Sequence, residues 1–403
     1  MTHGRTLIGG AALAAAAFVL FACTTASDGA DTPETAPAGS DPPVATSVPS
    51  ATSTTASVPT SSSTTVPTTT TTVPSVSSTS TTSTEPTPTT SEVAQSRPPD
   101  RLARPRGYGR FEPGPVWEEY AALTGLAADP TVTSRPALAV KIDNAPDARP
   151  QWNLADADLI IEENVELITR FIAVYQANVP DRIGPVRSAR MTDLWILPSM
   201  NRPILAWSGG NDGVTDTVEA LHEYGWLSNL SALETSCFYR SSSRSAPHNL
   251  LLDPTCAWLS TTHAGPARPV VTHDTGGLPP WPGLADDRFT VDMDGLTVTW
   301  VWDAASGRYL RRQRGDWHVD LDGGQVAAHN VVVMTVEYGP SAVDDRSPEA
   351  LTVGQGPVVV HRNGVAIQGS WARSDLGAVF SFTAADGTPL TLTPGTTFIE
   401  LTR

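Results

Sequence analysis

The feature that most constrains this chain is a long segment that cannot form a folded core. Between Thr24 and Arg106 the sequence is mainly threonine, serine and proline, as in ATSTTASVPTSSSTTVPTTTTTVPSVSSTSTTSTEPTPTT. Because large apolar side chains are almost absent there, folding would bury too little surface to offset the conformational entropy of the backbone. We therefore predict a disordered Thr/Ser/Pro-rich tether over residues 24–106, which leaves the fold to the residues that follow it.

The residues before the tether have the pattern of a bacterial lipoprotein signal peptide. Arg5 precedes an apolar run from Leu7 to Ala22, a length that suits a signal peptide better than a membrane-spanning helix. The run ends in LFAC, residues 20–23, which resembles the lipobox in which the cysteine is lipidated and becomes the first mature residue. Cys23 is thus the predicted lipidation site of an extracytoplasmic protein anchored to the cell membrane. An ordinary secretory signal is the alternative.

The distribution of charge excludes one class of partner. The chain of 403 residues has a net charge of -16, and residues 1–110 contribute only 6 arginines and 7 acidic residues to it. The remainder is therefore strongly acidic, whereas a nucleic-acid-binding protein needs a basic face. The length leaves room for two domains.

The residues from 111 to 264 predict an N-terminal α/β module. RPALAVKIDN predicts a strand over Ala137–Ile142, ITRFIAVYQA a strand over Ile168–Gln176, and RPILAWSGG a further strand. The segments NLADADLIIEENVEL, PVRSARMTDLWILPSM and GVTDTVEALHEYG have apolar residues mostly at helical spacing, so we predict helices there. Strands that alternate with helices indicate an α/β or α+β arrangement.

The residues from 285 to 403 predict a mostly antiparallel, β-rich module. Segments such as FTVDMDGLTVTWVWD and GPVVVHRNGVAIQGSWAR alternate apolar and polar residues, and Asp-Gly, Asn-Gly and Ser-Gly turns separate the runs. The predicted fold class is therefore α+β, in which an α/β module precedes a β-rich module and both follow the tether.

Eight motifs, taken in order, resemble the YerB-like family of bacterial lipoproteins. They are RPALAVKIDNAPDARPQWNL, ADLIIEENVELITRFIAVYQ, IGPVRSAR, APHNL, GRYLRR, HNVVV, GVAIQGSWAR and GTPLTLTPGTTFIEL, within residues 134–403. The resemblance implies a membrane-anchored extracytoplasmic protein that carries a domain of unknown function in two parts. It implies no reaction. Leu167 departs from the family pattern, because members tend to have a small residue there.

Polar residues at the ends of the predicted elements form the candidate ligand-binding site. In α/β sheets ligands bind beyond the carboxyl ends of strands, and the arginine fork pairs well with carboxylate or phosphate. We therefore predict a site for an anionic cell-envelope component, built from Asp143, Asn144, Arg149, Gln151, Glu163, Arg170, Arg187, Ser188, Arg190, Arg240, Arg244, His248 and Asn249. The alternative is an internal network of ion pairs that binds nothing, formed by Arg149, Arg170, Arg187 and Arg190 with Asp143, Glu162, Glu163 and Glu166.

The stretch IGPVRSAR sharpens this hypothesis. Pro185 suits the first position of a helix, and residues 186–188 would then offer free N–H groups beside Arg187 and Arg190. Two cations at a positive helix end need an anion. We predict that the anion is a ligand for at least one of the two arginines.

Catalysis is the alternative function. His248 with Glu163 or Glu166 could serve as acid and base, and Ser188 as a nucleophile, in a hydrolase or transferase acting on envelope material. The sequence lacks the Gly-x-Ser-x-Gly, His-Glu-x-x-His and phosphate-loop motifs. Binding of an anionic component or of a wall-assembly protein is therefore favoured, and no catalytic residue, metal or cofactor is predicted.

Cys237 and Cys256 are the cysteines that remain after Cys23. An extracytoplasmic location is oxidising, so we predict a disulfide that closes a loop of about 20 residues and stabilises it by about 3 kcal/mol. That loop holds Arg240, Arg244 and His248. Two free buried thiols are the alternative.

Overall fold

The computed structural model describes residues 111, 117–276, 283–341, 343–344 and 346–403. The predicted signal peptide, the lipidation site Cys23 and the predicted tether lie outside the described residues. None of the helices in the described ranges is long and apolar enough to cross a membrane.

The first half of the described chain contains more strand than the sequence predicted. Its strands are β1 (Leu138–Asp143), β2 (Leu159–Asn164), β3 (Thr169–Tyr175), β4 (Ile204–Trp207), β5 (Ser228–Ser231), β6 (Phe238–Arg240) and β7 (Leu250–Leu252). Its helices are α1 (Pro130–Thr133), α2 (Met191–Ile196), α3 (Asp212–Glu223) and α4 (Pro254–Ser260), with 3-10 turns at Pro146–Ala148 and Leu197–Met200. The strands predicted from RPALAVKIDN, ITRFIAVYQA and RPILAWSGG and the helix predicted from GVTDTVEALHEYG are confirmed.

Two predicted helices are wrong in place or type. The segment NLADADLIIEENVEL forms strand β2 rather than a helix, because every residue of Leu159–Asn164 is buried. A strand covered on both faces has a continuous apolar run, which periodicity cannot distinguish from a buried helix. The helix predicted from Pro185 begins instead at Met191, and the residues before it are extended.

The second half is built from strands, most of them antiparallel, as predicted. They are β8 (Leu284–Ala285), β9 (Arg288–Met293), β10 (Leu296–Asp303), β11 (Arg308–Gln313), β12 (Asp316–Trp317), β13 (Ala327–Ala328), β14 (Asn330–Thr335), β15 (Glu337–Pro340), β16 (Pro348–Leu351), β17 (Gly354–Arg362), β18 (Val365–Arg373), β19 (Ser381–Ala384) and β20 (Thr397–Thr402). β15 and β16 form a separate antiparallel pair, as do β6 and β7 in the first half.

Strands from both halves form one central sheet. Its order is β19-β18-β17-β14-β20-β2-β3-β1-β4-β5, and β8 pairs with β18. The last strand, β20, runs parallel to β14 on one side and parallel to β2 on the other. The C-terminal strand therefore joins the two stretches that the sequence suggested were separate modules.

Two different layers cover the part of this sheet formed by β1, β2 and β3. Ile161 and Val174 face the side that packs against α2 and α3, through residues such as Trp195. Ile160 and Phe171 face a second sheet, ordered β12-β11-β10-β9 with β13 on β11. Because strand side chains alternate between faces, neighbouring residues of one strand enter different layers.

Candidate functional site

The central sheet separates the predicted site residues between its two faces. Asp143 and Arg170 lie opposite each other on β1 and β3, on the helix-covered face. Asn144 follows β1 and hydrogen-bonds with Thr169 and Glu162 on the opposite face. The predicted residues therefore do not line a single crevice.

On the helix-covered face, a buried ionic group takes up Glu163. The Lys141 ammonium group donates to Glu163 Oε1 and, at 2.7 Å, to Asp193 Oδ1, and all three side chains are fully buried. Burial raises the pKa of Glu163, and the Lys141 charge opposes that rise. Glu163 is thus committed to Lys141, the one lysine of the chain, and is not open to a ligand.

Asp143 lies at the centre of a second polar cluster on that face. Its Oδ2 atom lies 3.1 Å from Arg187 Nε and 2.7 Å from His248 Nδ1, and Oδ1 accepts the Ala145 N–H at 3.0 Å. The Asp143 side chain is completely buried, whereas those of Arg187 and His248 are 23% and 21% exposed. Arg187 and His248 are therefore partners of a buried carboxylate that belongs to the chain itself.

The helix start predicted at Pro185, on which the anion site beside Arg187 rested, is wrong. The N–H groups of Val186 and Arg187 donate to carbonyl oxygens on β7 and β1, at 2.8 and 2.9 Å. Since the chain is extended from Pro185 to the start of α2 at Met191, no helix end lies beside Arg187.

Arg190 and Arg170 also have partners inside the protein. Arg190 donates from Nε and Nη2 to Glu166 Oε1, at 2.9 and 2.5 Å. Arg170 donates to the carbonyl oxygen of Ser188 at 3.1 Å, and its burial lowers the pKa of its guanidinium group to about 10. The internal-network alternative therefore accounts for Arg170, Arg187 and Arg190.

The arginines of the loop after β6 hold backbone and amide groups. Arg244 donates to two carbonyl oxygens of residues 148–150 at 2.7 and 2.5 Å, and its guanidinium carbon lies 4.1 Å from the centre of the Trp152 ring. Arg240 donates to Asn249 Oδ1 at 2.7 Å. These contacts fix the loop against the rest of the domain.

The same loop is closed by a covalent bond. A disulfide joins Cys237 and Cys256, with a sulfur–sulfur distance of 1.98 Å and Cα atoms 5.4 Å apart. Cys237 is buried and Cys256 is half-buried. The bridge ties Cys237, the residue before strand β6, to helix α4.

On the opposite face, a buried network joins the central sheet to the second sheet. Arg311 donates to Glu162 Oε2 at 2.5 Å and contacts His318 Nδ1 at 2.6 Å, and His318 Nε2 lies 2.9 Å from Gln151 Oε1. Burial, with the nearby Glu162 carboxylate, raises the pKa of Glu400, and burial lowers the pKa of His318. Gln151 belongs to this network, so it is not free for a ligand.

A cavity of about 310 Å³ opens at the edge of this network. It lies between the β2–β3, β9–β10 and β11–β12 turns, and we call it the hairpin cleft. Residues that line it include Asn144, Arg149, Asn164, Glu166, Asp294 and Arg314. Asn144 and Arg149 are the predicted ligand-binding residues among them. Leu167, at the tip of the β2–β3 turn, is 96% exposed at its rim.

The two acidic residues of the hairpin cleft are already neutralised. Glu166 pairs with Arg190, and Asp294 pairs with Arg403 through Nε at 2.7 Å. Neither of these arginines lines the cleft. The acids therefore leave little negative charge for other groups in the cavity.

The two arginines of the hairpin cleft have no such partners. Within the described ranges, no carboxylate forms an ion pair with Arg149 or Arg314. Arg149 Nε is buried and makes no hydrogen bond, and burial, followed by repulsion from Arg314, lowers the pKa of Arg149. The cleft thus presents two arginines without an ion-pair partner, and the carboxylates of Glu162 and Asp316, beyond ion-pair distance, only partly oppose the lowering of the Arg149 pKa.

A second cavity, of about 660 Å³, has a different charge balance. Ser188 and Arg190, both predicted site residues, line it. Its other arginine, Arg346, pairs with Asp344 at 3.6 Å, as Arg190 pairs with Glu166. Because each cation there has its acid within the lining, this cavity has no free charge for an anion.

The catalytic alternative needs a histidine that contacts both a carboxylate and a nucleophile, and only the contact with a carboxylate is present in the described chain. His248 contacts Asp143, not Glu163 or Glu166, and its ring forms no hydrogen bond with a serine, threonine or cysteine of the described chain. The Ser188 hydroxyl donates to the Ser208 carbonyl oxygen at 3.4 Å. The described residues contain no cluster of His, Cys, Asp and Glu suited to a metal ion.

Asn164 and Arg314 line the hairpin cleft and were not among the residues predicted from the sequence. Arg314 has a φ of 53° in the tight turn between β11 and β12. In the sequence, the RRQRGD segment is the part that could have indicated this turn. Asn164 was assigned to a helix with the rest of its segment. As a strand residue it shares a face with Glu162 and ends at the cleft.

Two family models match the two halves of the described chain. The protein of unknown function (DUF3048) N-terminal domain matches residues 123–266, and the DUF3048 C-terminal domain matches residues 289–399. The chain belongs to the DUF3048 family. The family description names no activity, so it leaves the role of the hairpin cleft open.

Two comparisons place this DUF3048 protein beside YerB of Bacillus subtilis. The chain is 27% identical over 296 residues to the "Putative lipoprotein YerB" of strain 168, covering 70% of this chain and 85% of that protein. A crystal structure of the YerB protein superposes with a TM-score of 0.59 and 25% identity, over 70% of this chain and 96% of that chain. The resemblance to the YerB-like family is confirmed.

Proposed function

We propose that this DUF3048 protein is a lipid-anchored extracytoplasmic binding protein whose hairpin cleft takes an anionic component of the cell envelope. The observation that carries the proposal is the pair Arg149 and Arg314, which line the cleft without an ion-pair partner in the described chain. Arg149 is half-buried and Arg314 is exposed, and like charges brought together favour an anion that compensates them. The planar guanidinium groups suit a carboxylate or a phosphate.

A lipid anchor at Cys23 and a flexible tether would hold this cleft outside the membrane. The LFAC stretch that ends at Cys23 and the lipoprotein name of the YerB relative support lipidation. A flexible chain of about 80 residues between Cys23 and the folded part has an r.m.s. span of about 50 Å. The folded part would then reach material of the cell-wall layer, such as peptidoglycan carboxylates or lipid-linked phosphates.

The Asp143–His248 contact supports a second candidate, a hydrolase or transferase acting on the same material. A buried carboxylate that contacts Nδ1 can orient a histidine as a base. Arg187 shares that carboxylate, and no nucleophile hydrogen-bonds to the ring among the described residues. Binding therefore remains the favoured function. Release of product from wall fragments that disappears in His248→Ala would support catalysis instead.

The experiment tests the two arginines against a matched arginine elsewhere. The full-length chain in detergent micelles is incubated with anionic cell-wall fragments, alongside the variants Arg149→Gln, Arg314→Gln and Arg346→Gln. Arg346 is the control, because its side chain is 86% exposed and lines the second cavity. We expect the first two variants to lose retention and Arg346→Gln to keep it, with retention falling as salt rises.

The outcomes separate the candidate partners. Equal retention of all variants would exclude the hairpin cleft as the anion site. Capture of an envelope protein instead of wall fragments, with the same dependence on Arg149 and Arg314, would identify a wall-assembly protein as the partner. Loss of retention in all three variants would mean that the binding is a general charge effect.

A further inference from the structure

The hairpin cleft contains an amide group that the protein leaves unpaired. Asn164 is the last residue of β2 and is 1% exposed, and it lines the cleft. Its side-chain Nδ2 and Oδ1 atoms are both buried, and neither forms a hydrogen bond. A buried amide without partners destabilises a folded protein, so such groups are rare and call for an explanation.

The neighbours of Asn164 cannot supply the missing hydrogen bonds, because their own are already made. The Asn144 amide donates to Thr169 at 2.7 Å and to Gln313 at 3.2 Å. The Thr169 hydroxyl donates to Glu162 at 2.5 Å. The side chains of Asn144 and Thr169 thus donate to other residues, and the Asn164 side chain makes no hydrogen bond with them.

A carboxamide presents a donor and an acceptor side by side. A carboxylate or phosphate could accept from Nδ2 but would leave Oδ1 without a donor, whereas a ligand with a secondary amide supplies an N–H donor for Oδ1 as well as oxygen acceptors for Nδ2. The hydrogen bonds that a ligand makes to such a buried pair discriminate strongly against analogues that lack one of them. A ligand that contains an amide would therefore supply the hydrogen bonds that the Asn164 side chain lacks.

We propose that the hairpin cleft binds a small molecule that contains a secondary amide and a nearby anionic group. In this complex Asn164 hydrogen-bonds with the amide and Arg149 pairs with the anion. This inference rests on the proposed function, because the same cleft and the same arginine hold the anion. Arg149 Nε, like the Asn164 amide, is buried and without a partner. A volume of about 310 Å³ is at the lower end for small-molecule sites, so the ligand is one small unit.

Two sources share this chemistry. In an acylated amino acid or short peptide, the amide lies one carbon from a carboxylate. In an N-acetylated sugar acid such as N-acetylmuramic acid, the acetamido group is attached to one ring carbon and the carboxylate belongs to a lactyl ether on the neighbouring ring carbon. The probes are therefore N-acetylalanine for the first source and N-acetylmuramic acid for the second.

The experiment measures binding by calorimetry with the full-length chain in detergent micelles. N-acetylalanine is compared with O-acetyllactate, and N-acetylmuramic acid with its 2-O-acetyl analogue; in each analogue an ester oxygen replaces the N–H. We expect the wild type to prefer the amide of at least one pair by about tenfold, the worth of one well-made hydrogen bond. The pair that shows the preference identifies the source.

The variants separate a binding role for Asn164 from a structural one. Asn164→Leu should lose the preference for the amide and keep or raise the melting temperature of the free protein, because it removes an unpaired buried amide. A structural asparagine would lower the melting temperature when replaced. Arg149→Gln should weaken both members of a pair equally. If Asn164→Leu does not fold, Asn164→Ala, which also lacks both amide atoms, is measured instead and should also lose the preference.

Failure of this inference differs from failure of the proposed function. If the wild type binds amide and ester equally and Arg149→Gln weakens both, the amide inference is overturned and the anion site stands. If Asn164→Leu keeps the preference, Asn164 is not the group that recognises the amide. If no anionic probe and no anionic wall fragment binds, the proposed function itself is overturned.

Discussion

Arg187 Nε lies 3.1 Å from Oδ2 of Asp143, a carboxylate that is completely buried. The sequence placed both residues in a ligand site, but the contact shows that each has its counter-charge in the other. A buried charge is tolerated when it is paired and hydrogen-bonded, and Asp143 also contacts His248 and the Ala145 N–H. Arg187 is therefore expected to stabilise the fold.

The contrast between Arg187 and Arg190 makes this expectation testable. Arg187→Ala removes one partner of a buried carboxylate that keeps two others, so we expect a loss of about 1–3 kcal/mol in the free energy of unfolding. Arg190→Ala leaves Glu166, whose side chain is 36% exposed and open to water, and should cost about 1 kcal/mol or less. Urea denaturation of both variants measures the difference. Equal losses would contradict it.

The local elements could be predicted, and the joining of the sheet could not. Strands β1 and β3 are buried apolar runs bounded by polar turns, and α3 has a clear helical period. The pairing of β20 with β2 brings together opposite ends of the folded chain, and nothing in either segment names its partner. The pattern of one segment shows which of its faces is buried, but it does not show which other segment lies beside it in the fold.

The candidate site was recoverable in part for the same reason. Asn144 and Arg149 follow a predicted strand, so the rule that ligands bind beyond strand ends found them. Asn164 was missed because β2 is buried on both faces and gave no period of two. Arg314 was missed because its turn approaches the cleft only through tertiary packing.

The buried Lys141 is the residue whose loss should cost most. Lys141→Met removes the single cation that faces Glu163 and Asp193, and both carboxylates are fully buried. We expect a loss of about 3–5 kcal/mol in the free energy of unfolding, because an unpaired buried charge remains. Denaturation of Lys141→Met and of the double variant with Glu163→Gln measures it. The double variant should be more stable than Lys141→Met, and a mild effect of the single change would contradict the pairing.

Asp320 should make the stability depend on pH. Burial raises the pKa of Asp320 to about 7, although its Oδ2 accepts the Ala155 N–H at 2.6 Å. A carboxyl group whose pKa is higher in the folded state binds its proton more tightly there. Its contribution is therefore fully present below the unfolded pKa of about 4 and is lost as the pH rises through about 7.

The variant Asp320→Asn isolates this contribution. Between pH 4 and pH 7.5 the wild type should lose up to about 4 kcal/mol of stability from this group, and the variant should not. The measurement is the free energy of unfolding in urea for both proteins at several pH values. Their difference is informative because depressed pKa values of buried histidines, such as His273 at about 4, act on both proteins alike. Parallel pH profiles would rule out the assignment.

Reduction of the disulfide should loosen the loop that carries Arg240, Arg244 and His248. Cys237 and Cys256 are separated by 19 positions, and a loop of that length is stabilised by about 3 kcal/mol in the chain-entropy model. The variant Cys237→Ser with Cys256→Ser should lose about that much in the free energy of unfolding. Thiol titration of the unreduced protein should find neither cysteine free, and two titrating thiols at these positions would exclude the bridge.

Lipidation of Cys23 should be what holds the protein at the membrane, because residues 20–23 resemble a lipobox. Cys23→Ala removes the sulfur that would carry the lipid, so we expect the protein to leave the detergent phase or to remain as an unprocessed precursor. Cys256→Ser is the matched control and should partition like the wild type, because it leaves residues 20–23 intact. Phase partition and intact mass are the measurements. Mature wild-type protein should begin at Cys23 and carry the added mass of a lipid, and an unchanged mass and partition in Cys23→Ala would show that the anchor lies elsewhere.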